Sequence, residues 1–274
     1  MKLRFRCANQ LVLVSKGLPM PSFRPLAAAL LALALVGAPG AASAQKFSDE
    51  QRSQIESIIK EYLVSHPEVL EEASEELSKR QAQAASEKHQ AAVAANSDAI
   101  FNSPRSVVLG NKDGDVTFVE FFDYNCGYCK RAMTDMLELM KSDPKLKVVL
   151  KEFSVLGPGS VEAAQVAIAV RMQDPSGKKY LDFHQKLMGG RGQADKARAV
   201  AAAKEAGLDM ARLDKDMQSP EVRSTIEESF KLAESMGMNG TPSYVIGKQV
   251  VVGAVGLETL RQKVAQARCG KEQC

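Results

Sequence analysis

The chain has 274 residues, of which 45% are hydrophobic and 25% are charged, a composition typical of a soluble globular protein with one large or two small domains. It contains no tryptophan and has a formal net charge of +3. This composition excludes the collagen-like, disordered and disulfide-dense miniprotein classes.

Residues 1–44 have the pattern of a cleavable signal peptide. The apolar run Leu26–Val36 is followed by the small residues Ala42-Ser43-Ala44. This run of 11 residues is short for a membrane span, and an uncleaved N-terminal anchor is the alternative. Cleavage after Ala44 would leave 230 residues with a net charge of −2, because five basic residues and no acidic ones would be lost. We therefore predict a periplasmic protein without a membrane span after cleavage and without affinity for nucleic acid. The five basic residues are Lys2, Arg4, Arg6, Lys16 and Arg24.

Residues 45–104 are predicted to form a helical N-terminal extension. Ser48 is a plausible N-cap, apolar side chains then recur at helical spacing, and His66-Pro67 breaks the first helix or starts a second. A narrow apolar stripe needs a packing partner, which is either the chain's own globular domain or, as we favour, other copies of the chain. The stripe residues are Ile55, Ile58, Ile59, Tyr62, Leu63, Val69, Leu70, Ala73 and Leu77.

Residues 105–274 are predicted to form an α/β domain. Strand patterns at Ser106–Gly110 and Val116–Phe122 precede a predicted helix at Cys126–Met140 and a strand at Leu146–Phe153. A strand, a helix and a further strand in this order are typical of a parallel crossover unit.

A helical insert is predicted from about residue 158 to 237, where no strand pattern occurs. Strand patterns return at Ser243–Ile246 and Gln249–Val252, which Gly247-Lys248 joins as a short hairpin. A last helix is predicted at Leu257–Ala267.

Cys126 and Cys129 form a Cys-Gly-Tyr-Cys motif between the second strand and the following helix. Backbone N–H groups and the helix dipole at that end stabilise a thiolate, so Cys126 is the predicted nucleophile. Cys129, one turn later, is placed to resolve a mixed disulfide formed at Cys126. Half of a zinc site and an inert structural disulfide are the alternatives, but structural zinc needs four ligands and the other cysteines lie far along the chain.

Two further features lie in the expected surroundings of this motif. Glu120 is the one acid in an apolar strand, where a buried carboxyl group could transfer protons with Cys129; an outward-facing residue is the alternative. Gly240-Thr241-Pro242 stands just before the terminal hairpin, and a proline that starts a strand is a candidate for a cis peptide bond, with a trans proline in a turn as the alternative.

Cys269 and Cys274 belong to the C-terminal tail, and Cys7 belongs to the signal segment. An even number of cysteines in an oxidising compartment favours a small structural disulfide between Cys269 and Cys274. Free or intermolecular thiols in a disordered tail are the alternative.

Residues from about Val116 to Ala267 resemble the DsbA-type branch of the thioredoxin superfamily. The resemblance rests on the run from Val119 to Cys129, on the helical insert and on Gly240-Thr241-Pro242-Ser243-Tyr244. It implies a thioredoxin fold with a helical insertion, a cis-Pro242 beside the cysteines, a Thr241 backbone that binds peptide and a buried, proton-relaying Glu120. We also expect Gly127 and Tyr128 to contact substrate.

The N-terminal extension is similar to that of ScsC-like and Com1-like proteins, in which helices precede the catalytic domain. In ScsC-like proteins such an extension can trimerise the chain. The resemblance therefore implies a homo-oligomer, with a trimer favoured.

The motif departs from strongly oxidising DsbA proteins, which carry Pro-His between the cysteines where this chain has Gly127-Tyr128. Thr241 before the proline resembles the disulfide isomerases. These departures favour isomerase or reductase activity on unfolded or misfolded exported proteins, with a DsbD-like reductase as partner. A disulfide-forming oxidase served by a DsbB-like partner is the alternative. No metal or other cofactor is expected for this chemistry.

A holdase-like or copper-binding protein is a further alternative from a different class. A pair of thiolates suits the soft ion Cu(I). Tight copper binding with negligible disulfide exchange would favour that interpretation.

Overall fold

The computed structural model describes residues 47–274, so the predicted signal peptide of residues 1–44 lies outside the described residues. Two compact units divide the chain, one ending at Tyr62 and one spanning Leu63–Cys274. No helix within residues 47–274 is long and apolar enough to cross a membrane.

Two helices form the start of the described chain, α1 at Asp49–Ser65 and α2 at Glu68–Ala95. A reciprocal capping box begins α1: the N–H of Gln51 donates to Ser48 Oγ at 3.2 Å, and the N–H of Ser48 donates to Gln51 Oε1 at 3.0 Å. The break at His66-Pro67 is where the sequence predicts it. No residue of α1 is buried, and Val93 is the buried residue of α2.

A five-stranded sheet lies at the centre of the second unit, with strand order β1-β3-β2-β4-β5. The strands β2 and β3 are parallel, and the other neighbouring pairs are antiparallel. The predicted strand–helix–strand unit and terminal hairpin are both confirmed. The strands are β1 at Val107–Gly110, β2 at Val116–Phe122, β3 at Leu146–Glu152, β4 at Ser243–Ile246 and β5 at Gln249–Val252.

Helices surround this sheet, and five of them form the insert between β3 and β4. The short α3 precedes β1, α4 connects β2 to β3, and α10 ends the fold. Proline at the first turn and an N-terminal Ser219 cap help to begin α9, as the amide of Glu221 donates to Ser219 Oγ at 3.2 Å. The helices are α3 at Ser97–Phe101, α4 at Gly127–Ser142, α5 at Pro158–Gln173, α6 at Lys178–Gly189, α7 at Lys196–Glu205, α8 at Met210–Met217, α9 at Pro220–Ser235 and α10 at Leu257–Cys269.

Two apolar clusters cover the two faces of the sheet. Because side chains alternate along a strand, Phe118 and Phe122 of β2 face the cluster that contains Cys129, whereas Val119 and Phe121 face the other cluster. Glu120 shares the face of Phe118 and Phe122, so this carboxyl group points towards the side of the sheet on which α4 and its cysteines lie. The second cluster includes residues from α2, α3 and α9, namely Val93, Ile100, Leu232 and Ala233.

Candidate active site

The two cysteines of the motif lie at the beginning of α4. Cys126 is the N-cap residue, and its Sγ accepts the N–H of Cys129 at 3.4 Å. The N–H of Cys126 donates to Asp123 O at 3.1 Å, which closes the turn before the helix. Both thiols are free in the structure, with Cys126 5% exposed and Cys129 fully buried. The more accessible sulfur therefore has the amide groups and the positive end of the helix dipole beside it.

The loop before β4 meets Cys126 from across the fold. The peptide bond between Thr241 and Pro242 is cis. The thiol of Cys126 donates to Thr241 O at 3.1 Å, although 115 residues separate the two. This contact places the Thr241 carbonyl group beside the sulfur of Cys126.

Glu120 lies below the cysteines in β2, where it is directly opposite Tyr244 of β4. The side chain is only 3% exposed. Burial raises the pKa of Glu120 to about 8, and the nearby charge of Asp135 adds to the effect. Burial and the Glu120 carboxyl group also raise the pKa of the Cys129 thiol far above its ordinary value. A carboxyl group with a pKa of about 8 therefore lies next to a thiol that resists ionisation, an arrangement in which a proton can pass between the two groups.

The dipeptide between the cysteines is the outward-facing part of the motif. Tyr128 is 59% exposed, and the Arg131 guanidinium lies 4.5 Å from its ring centroid, in cation–π contact. Gly127 has open space where a Cβ would be. These two residues are therefore accessible to a protein that approaches Cys126.

The residues that hold the turn before Cys126 were not predicted from the sequence. Asp123 accepts hydrogen bonds from the N–H of Asn125 at 2.8 Å, the Ser160 hydroxyl at 2.7 Å and the N–H of Leu156 at 2.9 Å. The first of these bonds is a local Asx turn, and an aspartate directly after a strand is a signal that could have indicated it. The bonds to α5 and to the loop before α5 depend on tertiary packing and leave no local signal.

Cys269 and Cys274 form a disulfide at the end of α10, with their Cα atoms 6.2 Å apart. Gly270 follows the helix with a positive φ of 76°, which suits glycine at this position. No hydrogen bond within the described part of the chain connects this pair with Cys126 or Cys129. No cluster of three or more His, Cys, Asp or Glu side chains in residues 47–274 is placed to hold a metal ion.

Comparison with known proteins gives a family for this arrangement. The model of the DSBA-like thioredoxin domain matches residues 117–265, more than half of the chain. The chain belongs to the DSBA-like thioredoxin domain family. A second family model, that of the copper resistance protein ScsC N-terminal domain, matches residues 51–84. The predicted fold class and the resemblance to ScsC-like members of the DSBA-like family are therefore confirmed.

Solved structures of similar proteins agree with this assignment. A thioredoxin-like oxidoreductase from Silicibacter pomeroyi DSS-3 is 46% identical, with a TM-score of 0.59, and the match covers 62% of this chain and 96% of that one. Proteus mirabilis ScsC in a transitional conformation is 30% identical, with a TM-score of 0.60, and the match covers 82% of this chain and 98% of that one.

Curated relatives match a shorter part of the chain. Disulfide bond formation protein D of Bacillus subtilis is 25% identical over 176 residues, which are 60% of this chain and 78% of the relative. The match to Na(+)/H(+) antiporter NhaA 1 of Salinispora arenicola, at 24% identity, spans only 25% of that protein's length. The similarity to the antiporter therefore concerns about a quarter of that protein.

Proposed function

We propose that this protein is a periplasmic thiol–disulfide oxidoreductase that acts on unfolded or misfolded exported proteins through Cys126 and Cys129. The observation that carries the proposal is the position of Cys126 Sγ, between the Cys129 amide at the start of α4 and the carbonyl of Thr241 beside cis-Pro242. A cysteine at a helix N-terminus, with a second and more deeply buried thiol one turn later, fits the two steps of disulfide exchange.

In the first step the Cys126 thiolate attacks one sulfur of a substrate disulfide. A new bond joins Cys126 to the substrate, and the second substrate sulfur leaves as a thiolate that takes up a proton. In the second step the ionised form of Glu120 accepts the proton of Cys129, and the Cys129 sulfur attacks Cys126. The bond between Cys126 and the substrate breaks, and the first substrate sulfur leaves as a thiolate that takes up a proton. The products are a Cys126–Cys129 disulfide and a substrate with two thiols, so the protein is oxidised by two electrons and the substrate is reduced by two. The reverse sequence forms disulfides, and attack on the mixed disulfide by another substrate thiol rearranges them.

Substitution of the nucleophile tests this proposal. Cys126→Ser is expected to abolish insulin reduction and the refolding of scrambled ribonuclease, because a hydroxyl group cannot form the mixed disulfide. A double variant, Cys269→Ser with Cys274→Ser, makes the same chemical change at the other pair and is expected to keep both activities. Full activity in the Cys126 variant would refute the proposal.

The direction of the reaction is proposed to be isomerisation or reduction, with a DsbD-like reductase as the partner. Gly127-Tyr128 lacks the histidine that strongly oxidising DsbA proteins have between their cysteines, and Thr241 precedes the cis-proline as in isomerases. Trapping the thiols by alkylation in cells measures the direction. A reduced Cys126–Cys129 pair is expected, whereas a mostly oxidised pair would indicate an oxidase with a DsbB-like partner.

The N-terminal segments are proposed to serve export and assembly. Residues 1–44 would direct export and be removed. Residues 45–104 would assemble the chain into a homo-oligomer, with a trimer favoured. Support for assembly comes from exposed apolar side chains on both long helices and from the match of residues 51–84 to the ScsC N-terminal domain. Several active sites held together suit an enzyme that rearranges disulfides in a misfolded substrate.

Copper handling is the second candidate function. It is favoured by the description of the matching N-terminal family and by the two free thiols of the motif. Titration of the reduced protein with Cu(I), alongside insulin reduction, separates the two candidates. Tight copper binding without measurable exchange would replace the oxidoreductase proposal.

A further inference from the structure

A chain of four polar side chains lies buried beneath the turn that carries Cys126. The Tyr180 hydroxyl donates to Glu152 Oε1 at 2.7 Å and lies 3.2 Å from the Tyr124 hydroxyl. The Tyr124 hydroxyl in turn lies 3.2 Å from Nδ1 of His184. None of the four residues is more than 6% exposed. The mechanism proposed above uses none of them.

The available donors give this series of hydrogen bonds one direction. The Tyr180 proton points to Glu152, so the oxygen of Tyr180 accepts from Tyr124, and the oxygen of Tyr124 accepts from Nδ1–H of His184. Each hydroxyl group therefore donates once and accepts once. Burial lowers the pKa of His184 to about 3, so this imidazole is neutral at physiological pH, and burial raises the pKa of Glu152 well above its ordinary value.

This network of hydrogen bonds joins three parts of the fold to one another. Glu152 ends β3, where it pairs with Phe122 at the end of β2. Tyr180 and His184 lie one turn apart on α6 of the helical insert. Tyr124 belongs to the turn between β2 and α4, two residues before Cys126. The network thus attaches the active-site turn to both the central sheet and the insert.

The same turn is also held by Asp123, whose carboxylate accepts hydrogen bonds from the Ser160 hydroxyl and from the N–H groups of Asn125 and Leu156. Two consecutive residues, Asp123 and Tyr124, therefore bind the turn to other parts of the fold. The N–H of Cys126 is bound to Asp123 O, so the position of the sulfur relative to the first amides of α4 follows the position of this turn.

Apolar side chains would fill a purely structural role at a lower cost in free energy. Buried polar groups lose their hydration, and replacement of such a cluster by well-packed apolar residues of similar volume is often neutral or stabilising. Hydrogen bonds supply what apolar packing does not, which is a defined direction and position for the Tyr124 hydroxyl.

We propose that Glu152, acting through Tyr180 and Tyr124, is a positioning residue that sets the redox equilibrium of the Cys126–Cys129 pair. The inference rests on the proposed function, because it concerns the same thiols. The relevant equilibrium is the reaction of oxidised glutathione with the protein dithiol, which yields two glutathione thiols and the Cys126–Cys129 disulfide. Each sulfur–sulfur bond formed replaces one that breaks, and two electrons pass from protein to glutathione.

The test measures this equilibrium constant in the full-length protein, together with the rate of Cys126 alkylation and the free energy of unfolding. Tyr180→Phe and Glu152→Leu each interrupt the chain and are expected to shift the equilibrium constant by about fivefold, the effect of roughly one hydrogen bond. The double variant is expected to shift the equilibrium constant no more than either single variant, because both substitutions remove the same hydrogen bond between Tyr180 and Glu152. Glu152→Gln keeps an oxygen that accepts from Tyr180 and is expected to stay close to the wild type.

Thr225→Val is the matched control for a merely structural effect. The buried Thr225 hydroxyl donates to Glu221 O at 2.8 Å within α9, so its loss lowers stability without touching the active-site turn. If Tyr180→Phe and Glu152→Leu lower stability as Thr225→Val does but leave the glutathione equilibrium unchanged, the inference is wrong. Should Glu152→Leu fail to fold, Tyr180→Phe and Tyr124→Phe, which remove only a hydroxyl, decide the question. A wild-type pair that does not exchange with glutathione would instead overturn the proposed function itself.

Discussion

Glu120 makes the stability of this protein depend on pH. Its carboxyl group has a pKa of about 8 in the folded chain, against 4.5 for the ordinary group. Between these values the unfolded chain has released the proton that the folded chain retains. The stabilising contribution is therefore complete below pH 4.5 and is lost as the pH rises towards 8, by at most about 1.4 kcal/mol per pH unit.

Glu120→Gln is accordingly expected to remove this contribution to the pH dependence of the free energy of unfolding, because the amide stays neutral at every pH. Urea unfolding of the reduced protein at intervals between pH 5 and about 8 measures the effect. Glu87→Gln makes the same change on the exposed surface of α2 and is the matched control. Equal slopes in the wild type and in Glu120→Gln would show that the carboxyl group does not retain its proton in the folded protein.

The sequence predicted Glu120 for a reason that is visible locally. One acid in an otherwise apolar strand interrupts the pattern, and its distance from the cysteines can be counted. The contacts among Tyr124, Glu152, Tyr180 and His184 span 28 to 60 positions in the chain. Each of these residues is ordinary in its own segment. Only the packing of α6 beneath the active-site turn brings them together, so a reading of local patterns treats His184 simply as a core residue.

At the scale of elements, a buried lysine connects β3 to the segment around α3 and to α9. Lys151 Nζ donates to Ala99 O at 2.8 Å and to Ser106 Oγ at 2.9 Å, and it lies 3.6 Å from the Glu228 carboxylate. Burial lowers the pKa of Lys151 to about 8, while the charge of Glu228 opposes that decrease. Removing the charge of Glu228 would leave the ammonium group buried without a carboxylate partner.

Glu228→Gln is therefore expected to lower the free energy of unfolding at pH 7 by about 2 kcal/mol, as measured by urea denaturation. Glu227→Gln, at the preceding position of α9, affects an exposed ion pair with Arg223 and is expected to change stability by less than about 0.5 kcal/mol. Similar losses in the two variants would mean that Lys151 does not depend on Glu228.

Most element boundaries could be predicted because their signals are local. The strands β2, β4 and β5 begin and end where apolar runs and turn residues place them, and α9 begins at its proline. The separate α3 was not predicted, since five residues are too few to show a helical period. The contribution of Val93 and Ile100 to the core under the sheet was also not predicted. Their burial depends on which face of the sheet receives them, and local sequence carries no such information.

At the scale of the whole molecule, the exposed apolar residues of the two long helices bear on assembly. Ile58 is 65% exposed and Ile59 51% exposed in α1, and Leu70 and Leu77 are 55% and 57% exposed in α2. Isolated helices with so little burial are marginal in water, so the proposed contacts between chains would supply the stabilisation that these helices need. A truncated chain that begins at Arg105 would be a poor test, because it also removes Val93 and Ile100 from the core.

Point substitutions in the intact protein give a cleaner experiment. Replacing Ile55, Ile58 and Ile59 by glutamine is expected to convert the proposed oligomer, a trimer in the favoured case, into monomers, because these side chains share one face of α1 and lose their apolar surface. Replacing Ser53, Ser57 and Lys60 by glutamine alters the opposite face of the same helix and is expected to leave the oligomer intact. Light scattering gives the number of chains per particle, and glutathione exchange verifies that the catalytic unit is unharmed.

If both triple variants and the wild type have the same stoichiometry, the exposed stripe of α1 does not hold the chains together. If the isoleucine variant is monomeric and still reduces insulin but no longer refolds scrambled ribonuclease, assembly is what turns exchange at Cys126 into isomerisation.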